Sequence, residues 1–175
     1  MKKMRIWLYK TQWKLKKKYF VTQSISIRSL SKYAHIEIED VETAICYTST
    51  MRDKDNGTVA RDTSIVIRHP DHWDCIEFEI GEIEYTMLMW WLGEKVQANK
   101  GYSKWDILKF VSPIHFPDNS RDICSELVNN GCVMIRVIPG FGIPHPAKVA
   151  RKFVKKGHKI VDGTEIIRNH VRKGA

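Results

Sequence analysis

The chain reads as an α+β protein, and three observations carry that reading. "YAHIEIE" at 33–39 alternates with a period of two, "DKDNGT" at 53–58 is a dense turn signal between short apolar runs, and from Glu82 onward the pattern becomes helical in length. At 175 residues one sizeable core is expected, and so a single domain over 1–175, because ordinary domains take ~100–200 residues each. With 43% hydrophobic and 28% charged residues, the composition is that of a globular chain rather than a disordered or fibrous one.

In order, "MRIWLYK" at 4–10 suits a first strand or a short amphipathic piece, and the basic "KLKKKYFVTQ" that follows has no clear periodicity. The alternation of 33–39 puts Tyr33, His35, Glu37 and Glu39 on one face and Ala34, Ile36 and Ile38 on the other, which predicts a half-buried strand. A turn near "EDVET" then returns the chain through "AICYTST" as a hairpin, and Asn56-Gly57 centres the next turn. "TSIVIRH" and "WDCIEFEI" are expected to complete an antiparallel meander on either side of "PDH". The segment 82–101 predicts a helix stopped by Gly101, and 102–116 a shorter one ended near Pro113. "SRDICSELVNNG" predicts a third helix with Ser120 or Asp122 as N-cap and Gly131 just past its end. "CVMIRVI" suits a strand, and Pro146 in a first turn predicts a last helix through the basic "KVARKFVKK".

Charge is unevenly spread along the chain. Residues 1–32 hold ten Lys or Arg and no acid, residues 148–175 hold nine and two, and the segment between them holds ten and eighteen. The two basic flanks therefore enclose an acidic middle, an arrangement that suits an anionic partner such as nucleic acid, a membrane surface or an acidic polymer. Trp7, Tyr9, Trp13 and Tyr19 interleave the first flank, as stacking residues do, although the same residues would serve a core. The longest apolar run, "YTMLMWWL", is far shorter than the ~18 residues a membrane span needs. Lysines interrupt the apolar part of the N-terminus, so no secretion signal is expected and a cytoplasmic location is the default. In a reducing compartment Cys46, Cys75, Cys124 and Cys132 would stay thiols.

Cys124 is the thiol with a chemical address. At the start of the third helix, unpaired backbone N–H groups and the positive end of the dipole stabilise a thiolate. His35 is the matching base, standing on the polar face of its strand. The other three thiols fall in apolar stretches and are expected to be inert. His69, His72 and Cys75 have spacings a metal accepts, but no companion cluster supplies the remaining ligands, so no metal is assigned. No nucleotide fingerprint is present, and "GFG" at 140–142 is an isolated loop, so no cofactor is assigned. Glu126 is read as a carboxylate serving the start of its own helix.

Ala34-His35-Ile36-Glu37, Trp105-Asp106 and Cys124-Ser125-Glu126 fall in an order that resembles the circularly permuted papain-like cysteine peptidases and amidases, relatives of the NlpC-type cell-wall hydrolases. The resemblance covers about residues 30–150, and small phage-encoded and bacterial members look most similar. It implies a papain-like antiparallel sheet or small barrel with packed helices, Cys124 as nucleophile and His35 as its base. It further implies an oxyanion site at the start of the cysteine helix and a third polar residue on the strand after the histidine. A hairpin turning near Val41 and Glu42 puts Thr48 opposite His35, so Thr48, Ser49 and Thr50 are the candidates there. Glu37 is the alternative, though its own strand is expected to keep it from the ring. The implied activity is a thiol hydrolase cleaving an amide in a peptide or a peptidoglycan stem. Acyl transfer, as in the lecithin retinol acyltransferase type, and a catalytically weak module binding an anionic partner are the rival readings.

Overall fold

The computed structural model describes residues 1–11, 23, 31–50, 56–99, 101, 123–140 and 145–174. Its centre is a six-stranded antiparallel sheet: β1 (Lys2–Lys10), β2 (Tyr33–Asp40), β3 (Ile45–Thr50), β4 (Gly57–Asp62), β5 (Trp73–Ile80) and β6 (Val161–Asp162), in the order β4-β3-β2-β1-β5-β6. The helices are α1 (Ser64–Ile67), α2 (Glu82–Ala98), α3 (Cys124–Met134), α4 (Pro146–Lys155) and α5 (Gly163–Gly174), with a 3-10 turn at Pro70–His72. The α+β class is as expected; of the expected meander the 33–40 and 45–50 strands pair as a hairpin, while "WDCIEFEI" lies on the far side of β1 and pairs with it. The first strand lies in the middle, paired to β2 on one side and to β5 on the other.

Period-two alternation gives the sheet two buried faces. Met4, Ile6 and Leu8 of β1, Ile36 and Ile38 of β2, and Ile76 and Phe78 of β5 form one core with Leu88 and Leu92 of α2, Leu127 and Val128 of α3, and Val149 and Phe153 of α4. On the reverse face Trp7, Tyr9, Cys46, Trp73 and Cys75 pack with Val66 of α1 and Ile166 of α5. All eight residues of β2 are buried, which corrects the expectation of a half-exposed strand. An acid and an imidazole at alternate positions look like a wet face, but here a second layer of chain covers them. Trp7 and Tyr9 are core residues, not stacking platforms; Trp13 and Tyr19 lie outside the described residues.

Three other expectations change. "TSIVIRH" is not a strand. Ser64 N–H closes onto Asp62 Oδ1 at 2.7 Å and Thr63 N–H onto Ala44 O at 3.0 Å, so the chain leaves the sheet and α1 buries Val66 while Ile65 and Ile67 stay exposed. The preceding segment, Gly57–Asp62, supplies the strand instead. Gly131 is inside α3, not past it, because α3 crosses α2 closely there: a Cβ would lie 3.0 Å from Leu88 Cδ1 and 3.1 Å from Trp91 Cζ3. "CVMIRVI" consequently begins as the last turn of that helix. Its end is closed by Val137 N–H on Cys132 O at 2.9 Å, with Arg136 at a left-handed φ of 59°. The helix expected over 102–116 and the caps Ser120 and Asp122 lie outside the described residues. The Pro146 helix forms as predicted, with the His145 ring accepting from Lys148 N–H. The short β6 and α5, for which the sequence offered no distinct signal, close the reverse face. Among the described residues no helix is long and apolar enough to cross a membrane.

Candidate active site

β2 carries the site. Its pairing to β1 is regular from Met4↔Asp40 to Tyr9↔His35 and then shifts, Lys10 pairing with Tyr33. The irregularity changes the parity of the strand. Tyr33 turns to the helix-covered core, where its hydroxyl donates to Asp74 Oδ2 at 2.7 Å, while His35 and Glu37 face the reverse side. Bulges re-aim side chains in this way, and they are frequent beside reactive groups.

The His35 ring, 6% exposed, is held through Nε2. Glu37 Oε1 lies 3.2 Å away and Thr48 Oγ1 3.1 Å away, and the edge of Trp73 packs at 6.4 Å between centroids. Contact with Glu37 corrects the expectation that its own strand would keep it from the ring: i and i+2 share a face, and both side chains are long enough to close the gap. Thr48, one of the expected partners, does reach the ring, although the register places it differently. Asp40 pairs with Ile45 and Ile38 with Tyr47, so Thr48 stands opposite the neighbourhood of Glu37 and reaches His35 diagonally.

This network assigns the proton. Thr48 Oγ1 donates to Ile36 O at 3.2 Å, so towards the ring it can only accept, as the Glu37 carboxylate must. Two acceptors on Nε2 make it the N–H nitrogen, and a neutral ring then carries its lone pair on Nδ1. Arg61 of β4, which sequence reasoning missed, anchors the carboxylate through its Nη2 on the same Oε1 and, at 3.3 Å, its Nε on Oε2. Arg61 and Glu37 are 24 residues apart, and no local pattern ties them. Burial opposes ionisation of Glu37, but the hydrogen bond and charge of His35 and the charge of Arg61 outweigh it and hold its carboxyl below the usual range. A second acid is held alongside: Glu39 accepts from Trp7 Nε1 at 2.6 Å and lies 3.1 Å from Thr63 Oγ1.

Cys124 is the first residue of α3, 7% exposed, and α3 packs on β2 and β3. Its neighbours are those of the helix-covered core, on the Ile36 side of the strand. The thiol and the imidazole thus approach β2 from its two faces. Ile123 caps the helix in place of Ser120 or Asp122, and its N–H donates to Glu126 Oε2 at 3.1 Å, the helix-start role read for Glu126. Ser49 shares the parity of Tyr47 and faces the helix side, whereas Thr50 shares the parity of Thr48; both are buried. The structure therefore gathers His35, Glu37 and Thr48, and separates Ser49 from them by the sheet backbone. Trp105 and Asp106 lie outside the described residues.

No protein-family model matches the chain. No curated protein sequence matches it either. Site chemistry therefore rests on the geometry alone. Burial pushes the remaining thiols up, Cys132 to about 12 and Cys46 and Cys75 likewise upward, with Glu37 and Glu39 adding to the effect at Cys46. His69 and His72 stack with ring centroids 5.3 Å apart. Among the described residues no three His, Cys, Asp or Glu side chains converge as a metal site.

Proposed function

We propose that the protein is a cysteine-dependent hydrolase of amide bonds, with Cys124 as nucleophile, His35 as general base and acid, and Glu37 as the residue that orients and charges the imidazole. One observation carries this reading: a buried histidine whose Nε2 is held by a carboxylate at 3.2 Å, on the strand against which the cysteine helix packs. Base and orienter in hydrogen-bond contact is the arrangement nucleophilic catalysis needs.

In the proposed reaction Nδ1 takes the Cys124 proton, and the thiolate attacks the substrate carbonyl to form a C–S bond. Backbone N–H groups at the start of α3 face the developing oxyanion. The C–N bond then breaks, the imidazolium returns its proton to the departing amine, and water, deprotonated by the same ring, hydrolyses the thioester. Because the two side chains approach β2 from opposite faces, the reaction requires the start of α3 to bring Cys124 Sγ around the N-terminal end of that strand to His35 Nδ1. A peptide or a peptidoglycan stem supplies a suitable amide.

The test is the rate of iodoacetamide alkylation of each cysteine in the folded protein between pH 6 and 8. Cys124 should react at least ten times faster than Cys46, Cys75 and Cys132, and His35→Ala should remove that advantage while the other three rates hold. Equal rates for all four thiols in wild type, or a Cys124 rate indifferent to His35, would refute the assignment.

A further inference from the structure

The two basic flanks differ in a way only the fold reveals. On the N-terminal side, the described cations are neutralised within the molecule. Lys2 pairs with Glu42, Lys3 and Arg5 with Glu77, and Lys10 and Lys32 with Asp74, at 2.7–3.1 Å. From Lys148 to Lys159 the chain carries Lys148, Arg151, Lys152, Lys155, Lys156 and Lys159 and no acid. None of these six makes an ion pair with a described residue; Lys152 alone is buried and donates to Asn129 Oδ1 at 2.7 Å.

We propose that the outer face of α4 and the turn after it form a docking surface for the phosphodiester backbone of nucleic acid. Lys148, Arg151 and Lys155 follow i, i+3, i+7 spacing and so make one ridge about 10 Å long, the length over which one strand of a duplex presents about three phosphates. Lys156 and Lys159 extend it. The turn that carries them is fixed: Lys156 N–H and His158 N–H both close onto Phe153 O at 3.0 and 3.2 Å, Gly157 supplies the φ of +92°, and the His158 ring packs on Phe78 and Phe153. The backbone positions from which the cations project are therefore fixed before a ligand arrives, which lowers the ordering cost of binding.

Phosphodiester is favoured over an anionic bilayer because the apolar side of α4 is already used. Val149 and Phe153 are fully buried in the core, so the helix has no apolar face to lay into lipid. Val154 and Ile160 are the exposed apolar side chains of this stretch, at 47% and 38%, and two isolated aliphatic groups do not make an anchor. Among the described residues no exposed aromatic ring stands on the ridge to stack bases, so recognition is of the backbone and indifferent to sequence.

The test is fluorescence anisotropy with a fluorescein-labelled 20-base-pair duplex, using the full chain. Four phosphate contacts give a log–log salt slope of about −3.6, on the order of a 100-fold loss of affinity between 50 and 200 mM salt. The variant Arg151→Gln/Lys155→Gln/Lys156→Gln/Lys159→Gln, whose circular dichroism should be unchanged because all four side chains are exposed, should bind at least 10-fold more weakly. Lys3→Gln should bind as wild type does. Absence of duplex binding by wild type, an undiminished affinity in the quadruple variant, or equal or tighter binding to phosphatidylserine vesicles would overturn the proposal. Cys124 and His35 take no part in it, so it stands or falls apart from the hydrolase reading.

Discussion

The carboxylate of Glu37 holds the imidazole of His35 from two residues further along the same strand, Oε1 to Nε2 at 3.2 Å, inside a sheet face that a second layer closes. Neighbours this close in sequence rarely pair on a strand, because side chains at i and i+2 stand nearly parallel. Here Arg61 binds the same carboxylate oxygen, and Thr48 Oγ1 lies 3.1 Å from the same ring nitrogen.

Removing the charge while keeping the shape should change how the ring titrates. An adjacent carboxylate favours the imidazolium, so in Glu37→Gln the His35 ring should titrate at a lower pH than in wild type. Two-dimensional ¹H–¹⁵N spectra of the imidazole should also show Nε2 as the protonated nitrogen of the neutral wild-type ring. A wild-type ring protonated on Nδ1 would reverse the assignment of its two nitrogens.

Arg61 matters because Glu37 has no access to water. Arg61→Met strands a buried carboxylate, a defect that costs about 3–5 kcal/mol, and guanidinium unfolding at pH 7 should report a loss of that size. Glu37→Gln/Arg61→Met should recover much of it, since the second substitution removes the uncompensated charge. Additive losses in the double variant would mean that the two side chains do not act as a pair.

Acid should unfold the protein through its lowered carboxylates. Glu37, Asp74 and Glu77 are all held below their ordinary values: for each, burial opposes ionisation but is outweighed, for Glu37 by His35 and Arg61, for Asp74 by Lys32, Tyr33 and Lys10, and for Glu77 by Lys3 and Arg5. A carboxyl with a lower folded pKa binds fewer protons folded than unfolded, so its contribution is complete above the unfolded value, near 4, and is lost as pH falls through the folded one. Thermal midpoints should thus be level from pH 5 to 7 and drop steeply below pH 4. Asp74→Asn should lower the plateau and make the drop shallower, whereas a midpoint indifferent to acid would contradict these pairings.

The strand at 33–40, the hairpin after it, the long helix from Glu82 and the Pro146 helix were readable because each has a periodicity or a cap set by its own residues. Burial on both faces was not readable. Alternation reports that two faces differ, and a face of His35, Glu37 and Glu39 looks solvated until Trp7, Trp73, Val66 and Ile166, drawn from four other segments, close over it. "TSIVIRH" misled for a related reason: a β-branched run has strand propensity, but Asp62 and Thr63 hold its start in hydrogen bonds that turn it out of the sheet.

Residue order alone was enough to nominate a thiol at a helix start and an imidazole on an early strand, since each of those environments is local. Which nitrogen of the ring bears the proton, that Glu37 and not Ser49 touches it, and that α3 and the imidazole meet β2 on different faces all depend on strand register, on the parity change after Tyr9 and on Arg61 arriving from β4. Those are contacts between distant segments. They arise when the chain closes its core, and no window of sequence contains them.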